Sequence, residues 1–338
     1  MNRKYFTEAV DDALAQAMAA DSRIVIWGED VPLLRRNLLV RFGPERVMGT
    51  PISESAFLGA GVAAAMAGLR PVVEMYMVDF LGVAMDAILN HAAKLDAFSG
   101  GQWQAPLVVR LPCGGGYGDG GQHEQALWGW LAHIPGLVVV VPSTPADAGG
   151  LMLAALAHDG PVLFLEHKLL SESWLEFLGS GGRKTVQYDV PAAGHYGPVP
   201  TVWQPLPLGK ANLCRSGSDV TMVSVGVGVH RALEAAERLR QDHGISAGVL
   251  DLRTVSPLDR EAVCGETAVT QKLLVVDEDY EGFGLSGELA AVVLEAGIPA
   301  KFTRICTETT IPYARHLEDA TLPNVERICA AALQLMQS

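Results

Sequence analysis

Positive charge is what the 338-residue chain has least of relative to need: 25 Lys and Arg stand against 38 Asp and Glu, a formal charge of -13. That balance excludes nonspecific attraction to nucleic acid or to an anionic membrane, and favours partners with basic surfaces. Aromatic residues make up only 7%, too few for a stacking platform for single-stranded nucleic acid. Cysteine is scarce and odd in number: Cys113, Cys214, Cys264, Cys306 and Cys329 show no CxxC motif and no Cys/His pairing at zinc spacing. Buried thiols in a reducing compartment are expected. No apolar run approaches the ~20 residues of a membrane span, and Met1 to Phe6 leads into a helical pattern without an apolar signal region. A cytoplasmic protein with neither a nucleic-acid nor a membrane partner is the expectation.

What is present is apolar residue, glycine and proline. An apolar fraction of 49% with 36 Gly and 19 Pro fits a globular α/β protein. The length suggests about two domains and allows burial of roughly 75% of the unfolded surface. From Thr7, expected as an N-cap, Val10, Leu14 and Met18 recur at helical spacing, and 23–27 reads as a buried strand ending at Gly28. Further apolar strands are expected at 71–75, 106–110, 137–141 and 161–165, with helices at 84–95 and 146–157 among them. Strands without polar alternation, spaced by helices, imply a parallel sheet covered on both faces. The pattern then fails in a stretch that opens on Gly179 and carries Pro191, Pro198, Pro200, Pro205 and Pro207. A second α/β unit follows, with strands at 220–225, 247–252 and 272–277 and helices at 229–240 and 286–295. The expected division is a domain over 1–178, a linker over 179–207 and a second domain over 208–338.

The segment with the most chemical content is Thr50-Pro51-Ile52-Ser53-Glu54, followed by a Gly/Ala-rich run from Gly59 to Gly68. A carboxylate on a turn, backed by a small-residue helix, is one way to hold an acid against a flat ligand. A helix-capping box around Ser53 or a surface salt bridge accounts for the same residues. Other segments recur along the chain: Gly28-Glu29-Asp30, the run from Gly68 to Glu74, Asp79-Phe80, Gly121-Gln122-His123, His133 to Leu137, Pro142 to Ala148, Leu208 to Ala211, and Asp251 to Asp259. Taken in order and nearly end to end, they resemble the beta subunit of the decarboxylating component of 2-oxo acid dehydrogenase complexes, of the pyruvate and branched-chain type.

The resemblance implies an α/β fold of two doubly wound domains, an N-terminal pyrimidine-binding transketolase-like domain and a C-terminal transketolase-like domain. It also implies thiamine diphosphate as cofactor. In such enzymes a glutamic acid, here Glu54, hydrogen-bonds the aminopyrimidine ring and lets the cofactor remove its own thiazolium proton. Phe80 resembles the aromatic that packs on the pyrimidine, with Ile52 and Tyr76 as neighbours, although an aromatic at a strand-to-helix turn also serves as plain core. His123, in a loop rich in glycine, resembles the active-site histidine that acts after decarboxylation, including acyl transfer to lipoamide; a satisfied loop histidine is the alternative. The family commonly reads QHSQ where this chain has Gln122-His123-Glu124-Gln125.

Asparagine is the scarcity that matters most for this reading. Thiamine enzymes bind diphosphate and Mg²⁺ through a GDG sequence followed by an Asn pair, because the metal needs oxygen ligands. Gly118-Asp119-Gly120 matches the first half, but the asparagines are Asn2, Asn37, Asn90, Asn212 and Asn324, and no second half follows. The implied partner is an alpha subunit that holds Mg²⁺ and the diphosphate in an alpha2beta2 heterotetramer. The family also suggests a potassium ion on the carbonyls of Leu107, Ala155, His158 and Gly160, where an ordinary helix terminus is the competing reading. Gly226-Val227-Gly228 is too short a fragment to argue for NAD. Asp277, Glu278, Asp279 and Glu281 are either a solvated face or part of the docking surface for a lipoyl acyltransferase core. The implied activity is oxidative decarboxylation of a 2-oxo acid with acyl transfer to a lipoyl group. An acetoin-dehydrogenase-type or stand-alone acyl-transferring relative is the alternative, and a noncatalytic scaffold is the alternative of another class.

Overall fold

Valine-, isoleucine- and leucine-rich runs with no polar alternation become strands buried on both faces. They are laid down in a computed structural model that describes residues 2–180 and 189–337. The first half runs β1 (Asn2–Tyr5), helix Phe6–Ala20, β2 (Ile24–Gly28), β3 (Val47–Gly49), helix Glu54–Met66, β4 (Arg70–Glu74), β5 (Val108–Cys113), helix Trp128–Ala132, β6 (Val138–Val140), helix Pro145–Ala157 and β7 (Val162–His167). The second half contains helix Glu172–Ser180, β8 (Tyr196–Val199), β9 (Asn212–Arg215), β10 (Val220–Ser224), helix Val227–His243, β11 (Ala247–Asp251), β12 (Thr254–Ser256), helix Arg260–Thr270 and β13 (Lys272–Tyr280). Helix Leu285–Glu295, β14 (Lys301–Thr307) and helices Arg315–Thr321 and Val325–Gln337 complete it.

The first sheet has the order β12-β6-β7-β5-β4-β2-β3, and the second β14-β13-β10-β11-β9. Pairing is parallel throughout except at one edge of each, where β12 and β9 run antiparallel to β6 and β11. Helices cover both faces of each sheet, the doubly wound arrangement. The period of two in a strand sorts the side chains. Val72 and Val108 point toward helices Phe6–Ala20 and Pro145–Ala157, whereas Val73 and Val109 join the cluster under helix Glu54–Met66. That second cluster continues through Val139 and Val141 into Val223, Val225 and Leu250 of the other sheet, so the two halves share one apolar core.

Several expectations change. Thr7 is not the N-cap: the helix starts at Phe6, and the buried Thr7 hydroxyl instead contacts Ser171 Oγ at 2.7 Å. The expected helix at 84–95 is broken into a 3₁₀ turn at Val78–Ala84, a π turn at Ala87–Ala92 and a short helix at Leu95–Ser99. The proline-rich stretch is not a bare tether. Its β8 pairs with β1, Asn2 opposite Val199 and Tyr5 opposite Tyr196. The buried Trp203 packs on Ala9 and Ala13 while its Nε1 donates to Asp12 at 3.0 Å. Part of the expected linker, 181–188, lies outside the described residues. Only Cys113 and Cys306 are buried thiols; Cys214 is exposed, and Cys264 and Cys329 are half-buried. Among the described residues no helix is long and apolar enough to cross a membrane.

Candidate active site

Parallel strands deliver their following loops to one edge of the sheet, and the candidate residues lie where β3, β4 and β5 end. Glu54 opens helix Glu54–Met66, in its first turn, where a negative charge meets the positive end of the helix dipole. Ser53 occupies the cap position without a side-chain cap bond, so no capping box forms there. The small-residue helix packs close to strand side chains rather than to backbone: a Cβ on Gly61 would meet Val73 Cγ2 at 2.7 Å. Ser55 Oγ donates to the Val83 carbonyl at 2.6 Å, tying the start of this helix to the 3₁₀ turn that carries Phe80. Asp79, in the same turn, accepts from the Gln125 side-chain amide at 2.8 Å and so holds the far end of the His123 loop. The Phe80 and His123 rings meet edge to face at 5.7 Å and 89°. His123 Nδ1 is buried and has no hydrogen-bond partner.

The structure therefore links Glu54, Phe80 and His123 through two short hydrogen-bonded bridges. Ile52 is 74% exposed on the preceding turn. Tyr76 lies beside the group without joining it: its hydroxyl donates to Asp30 Oδ2 at 3.0 Å, and its ring stands edge-on to Trp174 at 5.8 Å. Burial, then Asp30, pushes its phenol up to about 12, so it stays neutral. Burial, Asp30 and Glu54 together also raise Glu29, which places three carboxyl groups at this edge.

The loop from Gly114 to Gln125 is clamped by carboxylates. Gly115 N donates to Glu278 Oε1 at 2.7 Å, Gly116 N to Glu318 Oε1 at 2.7 Å, Tyr117 N to Glu124 Oε1 at 3.0 Å, and Gly120 N to Glu124 Oε2 at 2.9 Å. Gly114 is required here, since it has φ +86° and a Cβ would fall 2.1 Å from His167 Nε2. Gly118-Asp119-Gly120 thus belongs to this clamp. Glu124, where the family commonly has serine, is fully buried beside Glu318; burial first, then Glu318, pushes it up to about 8.

The clamp corrects the reading of the acidic group at 277–281. Asp277, Glu278 and Asp279 are buried. Glu278 binds His167 at 2.8 Å and Arg231 at 2.7 Å; burial would raise its carboxyl, but these two partners outweigh it and hold it down at about 2. Asp277 accepts from Trp128 Nε1 at 2.9 Å, and Asp279 from Gly129 N at 2.7 Å. Only Glu281, paired with Arg304 at 2.8 Å, retains substantial exposure. Asp277, Glu278 and Asp279 join the two halves behind the histidine loop, and they are neither a solvated face nor a docking patch.

Two features were missed from sequence. One is Lys168, buried directly beneath the loop; its signal was Glu166-His167-Lys168, three polar residues at the end of an apolar strand. The other is a buried ionic network in which Arg110 meets Glu166 at 2.5 Å, Glu74 at 2.8 Å and Asp11 at 3.1 Å, while Arg35 meets Glu74 at 2.8 Å. Burial works to raise Glu74, yet Arg110 and Arg35 overcome it and lower its carboxyl. At the corner suggested for potassium, Leu107 O accepts from Val162 N at 2.8 Å and Ala155 O from His158 N at 3.2 Å. Arg70 Nη1 donates to His158 O at 3.1 Å and to Leu156 O at 2.9 Å. A guanidinium already supplies the positive charge at the His158 carbonyl, so the carbonyl set fits a further cation poorly.

Comparison with known proteins decides the family. Residues 4–172 match the model described as transketolase, pyrimidine binding domain, and residues 209–328 match transketolase, C-terminal domain. The chain is 38% identical over 343 residues to the 2-oxoisovalerate dehydrogenase subunit beta of Bacillus subtilis, covering 98% of each. It belongs to the beta-subunit family of 2-oxo acid dehydrogenases. Similarity extends to the pyruvate dehydrogenase E1 component subunit beta of Rhizobium meliloti, 37% identical over 96% of this chain and 68% of that one. It extends equally to the acetoin:2,6-dichlorophenolindophenol oxidoreductase subunit beta of Bacillus subtilis, 36% identical over 98% of this chain and 96% of that one. A solved structure titled split gene transketolase, inactive beta4 tetramer shares the fold, with a TM-score of 0.77 at 20% identity over 98% of both chains.

Proposed function

We propose that this family member works as the beta half of an alpha2beta2 thiamine-diphosphate-dependent enzyme that decarboxylates a 2-oxo acid and passes the acyl group to a lipoyl group on an acyltransferase core. The observation that carries the reading is His123: its imidazole packs on Phe80, and its buried Nδ1 lacks a hydrogen-bond partner, so a polar ligand atom is needed there. Thiamine diphosphate, when bound, supplies a nucleophilic thiazolium carbon and an electron sink. Glu54 would hydrogen-bond the aminopyrimidine, with Phe80 and Ile52 against its ring, and His123 would exchange protons with the reacting group and the acyl acceptor. Tyr76 acts from one side, through Asp30. No residues of this chain are assigned to Mg²⁺, which the proposal gives to the alpha subunit. Potassium enters no step, given Arg70 at the Leu156 and His158 carbonyls.

Exposed apolar residues support burial of one face in the assembly. Trp130 and Phe283 line a groove of about 990 Å³ between the two halves. The location proposed is cytoplasmic. The purified chain alone should neither bind thiamine diphosphate at micromolar affinity by calorimetry nor turn over 2-oxo acids, whereas adding the alpha subunit should restore both. Micromolar binding by the chain alone would overturn the divided site. The acetoin-type relative is nearly as close in identity as the dehydrogenases, 36% against 38%, so the reconstituted complex should be assayed with branched-chain 2-oxo acids, pyruvate and acetoin side by side.

A further inference from the structure

A catalytic histidine is ordinarily oriented by a hydrogen bond at the ring nitrogen that is not reacting. Among the described residues His123 has no such bond at either ring nitrogen, the buried Nδ1 included. Its orientation must come from the Phe80 ring and from its own backbone, and the backbone is tied in an unusual way. Lys168 is the first residue after β7 and is fully buried. Its ammonium donates to the His123 carbonyl, to Tyr117 Oη at 2.6 Å, and more weakly to the Gly114 carbonyl at 3.5 Å. It also stands 4.7 Å from the centre of the Tyr117 ring. Tyr117 Oη itself donates to the same His123 carbonyl. One cation therefore grips the loop at both ends and at its middle.

Among the described residues no carboxylate forms an ion pair with this ammonium. Burying a charge without a counter-ion costs several kcal/mol unless dipoles replace the water, and here two carbonyls, a phenol and an aromatic face do so. A leucine or methionine would fill the space without that cost, but could not hold the carbonyl. Burial pulls the Lys168 ammonium downward, while Asp79, Cys113, Glu124 and Asp119 act in the other direction. The carboxylate clamp on Gly115, Gly116, Tyr117 and Gly120 fixes the first part of the loop and does not reach the His123 carbonyl.

We infer that Lys168 is a positioning residue for His123, fixing the histidine's main chain so that its ring is presented in the geometry needed for transfer of the acyl group. The inference rests on the role proposed for His123. Lys168→Met and Lys168→Arg should be compared with His123→Ala in the reconstituted complex, measuring decarboxylation with an artificial electron acceptor and acylation of a lipoyl domain separately. Misplacing a reacting group by about 1 Å costs on the order of a hundredfold. Lys168→Met should therefore slow lipoyl acylation by about ten- to a hundredfold, change decarboxylation by less than about twofold, and leave KM for the 2-oxo acid unchanged. Lys168→Arg should recover part of the loss. In the full chain without cofactor, hydrogen exchange at 114–125 should quicken in the Met variant.

Equal loss in both partial reactions, or no loss in acylation, overturns the inference. If His123→Ala leaves acylation intact, the role of His123 fails, whatever Lys168 does. If His123→Ala abolishes acylation and Lys168→Met does not, only the inference about Lys168 fails. Should Lys168→Met not fold, Tyr117→Phe removes the other donor to the same carbonyl and should give a smaller loss with the same split; an unsplit loss there overturns the inference too.

Discussion

Replacing Glu124 with Gln tests the carboxyl pair that holds the histidine loop, and the expected result depends on pH in a way that few other causes reproduce. In the fold Glu124 is pushed up to about 8, against an ordinary value of 4.5. The folded protein thus binds a proton here that the unfolded chain releases between those two values. For an acid raised on folding, stability is greatest below 4.5 and is lost as pH rises toward 8. The slope is about 1.4 kcal/mol per pH unit, so from pH 5 to pH 7 this one site removes about 3 kcal/mol. Gln cannot titrate. It accepts one of the two amides that Glu124 binds, Tyr117 N or Gly120 N, but it leaves the other unsatisfied. That defect costs about 1–3 kcal/mol at every pH. At pH 5 the variant should melt below the parent, and near pH 8 the order should reverse. With about 2–4 °C per kcal/mol for a domain of this size, the difference in melting temperature should swing by about 6–12 °C between pH 5 and pH 7. Differential scanning calorimetry of both proteins from pH 5 to pH 8.5 measures the swing directly, because all other titrating groups cancel. A difference that does not vary with pH would show that burial beside Glu318 does not raise Glu124.

Two further outcomes are expected. Glu54→Gln should fold normally, because Glu54 sits at an accessible helix start, but in the reconstituted complex it should lower turnover by at least about a hundredfold; unchanged turnover would remove Glu54 from the mechanism. Arg110→Met leaves Glu166, Glu74 and Asp11 buried around an uncharged side chain, a loss of about 3–5 kcal/mol. The melting temperature should fall by at least about 6 °C, and a fall below 2 °C in calorimetry would mean that the network reorganises around other cations.

Much of the architecture was legible because apolar strands and helical spacing carry their own signal. The strands expected at 71–75 and 161–165 lie within a residue or two of Arg70–Glu74 and Val162–His167. The breaks at 84–95 were not legible, since a π turn and an α-helix share nearly the same apolar spacing. Nor was the burial of Asp277, Glu278 and Asp279, because the partners that make it tolerable, Trp128, His167 and Arg231, come from three separate elements. For the same reason Glu54, Phe80 and His123 could be named from motifs, whereas Lys168 could not: its importance comes from a carbonyl 45 residues away in sequence.

β12 follows β11 of the second sheet, yet it hydrogen-bonds to β6 at the edge of the first. The boundary in sequence is therefore not the boundary in hydrogen bonding. A chain severed in the proline-rich stretch would leave the first half with Val138–Val140 as a bare apolar edge, the kind of edge that recruits other strands. Neither half is an independent part that recombination could exchange cleanly. Any change in the second half that moves β12 also moves the border of the sheet on which the candidate site is built.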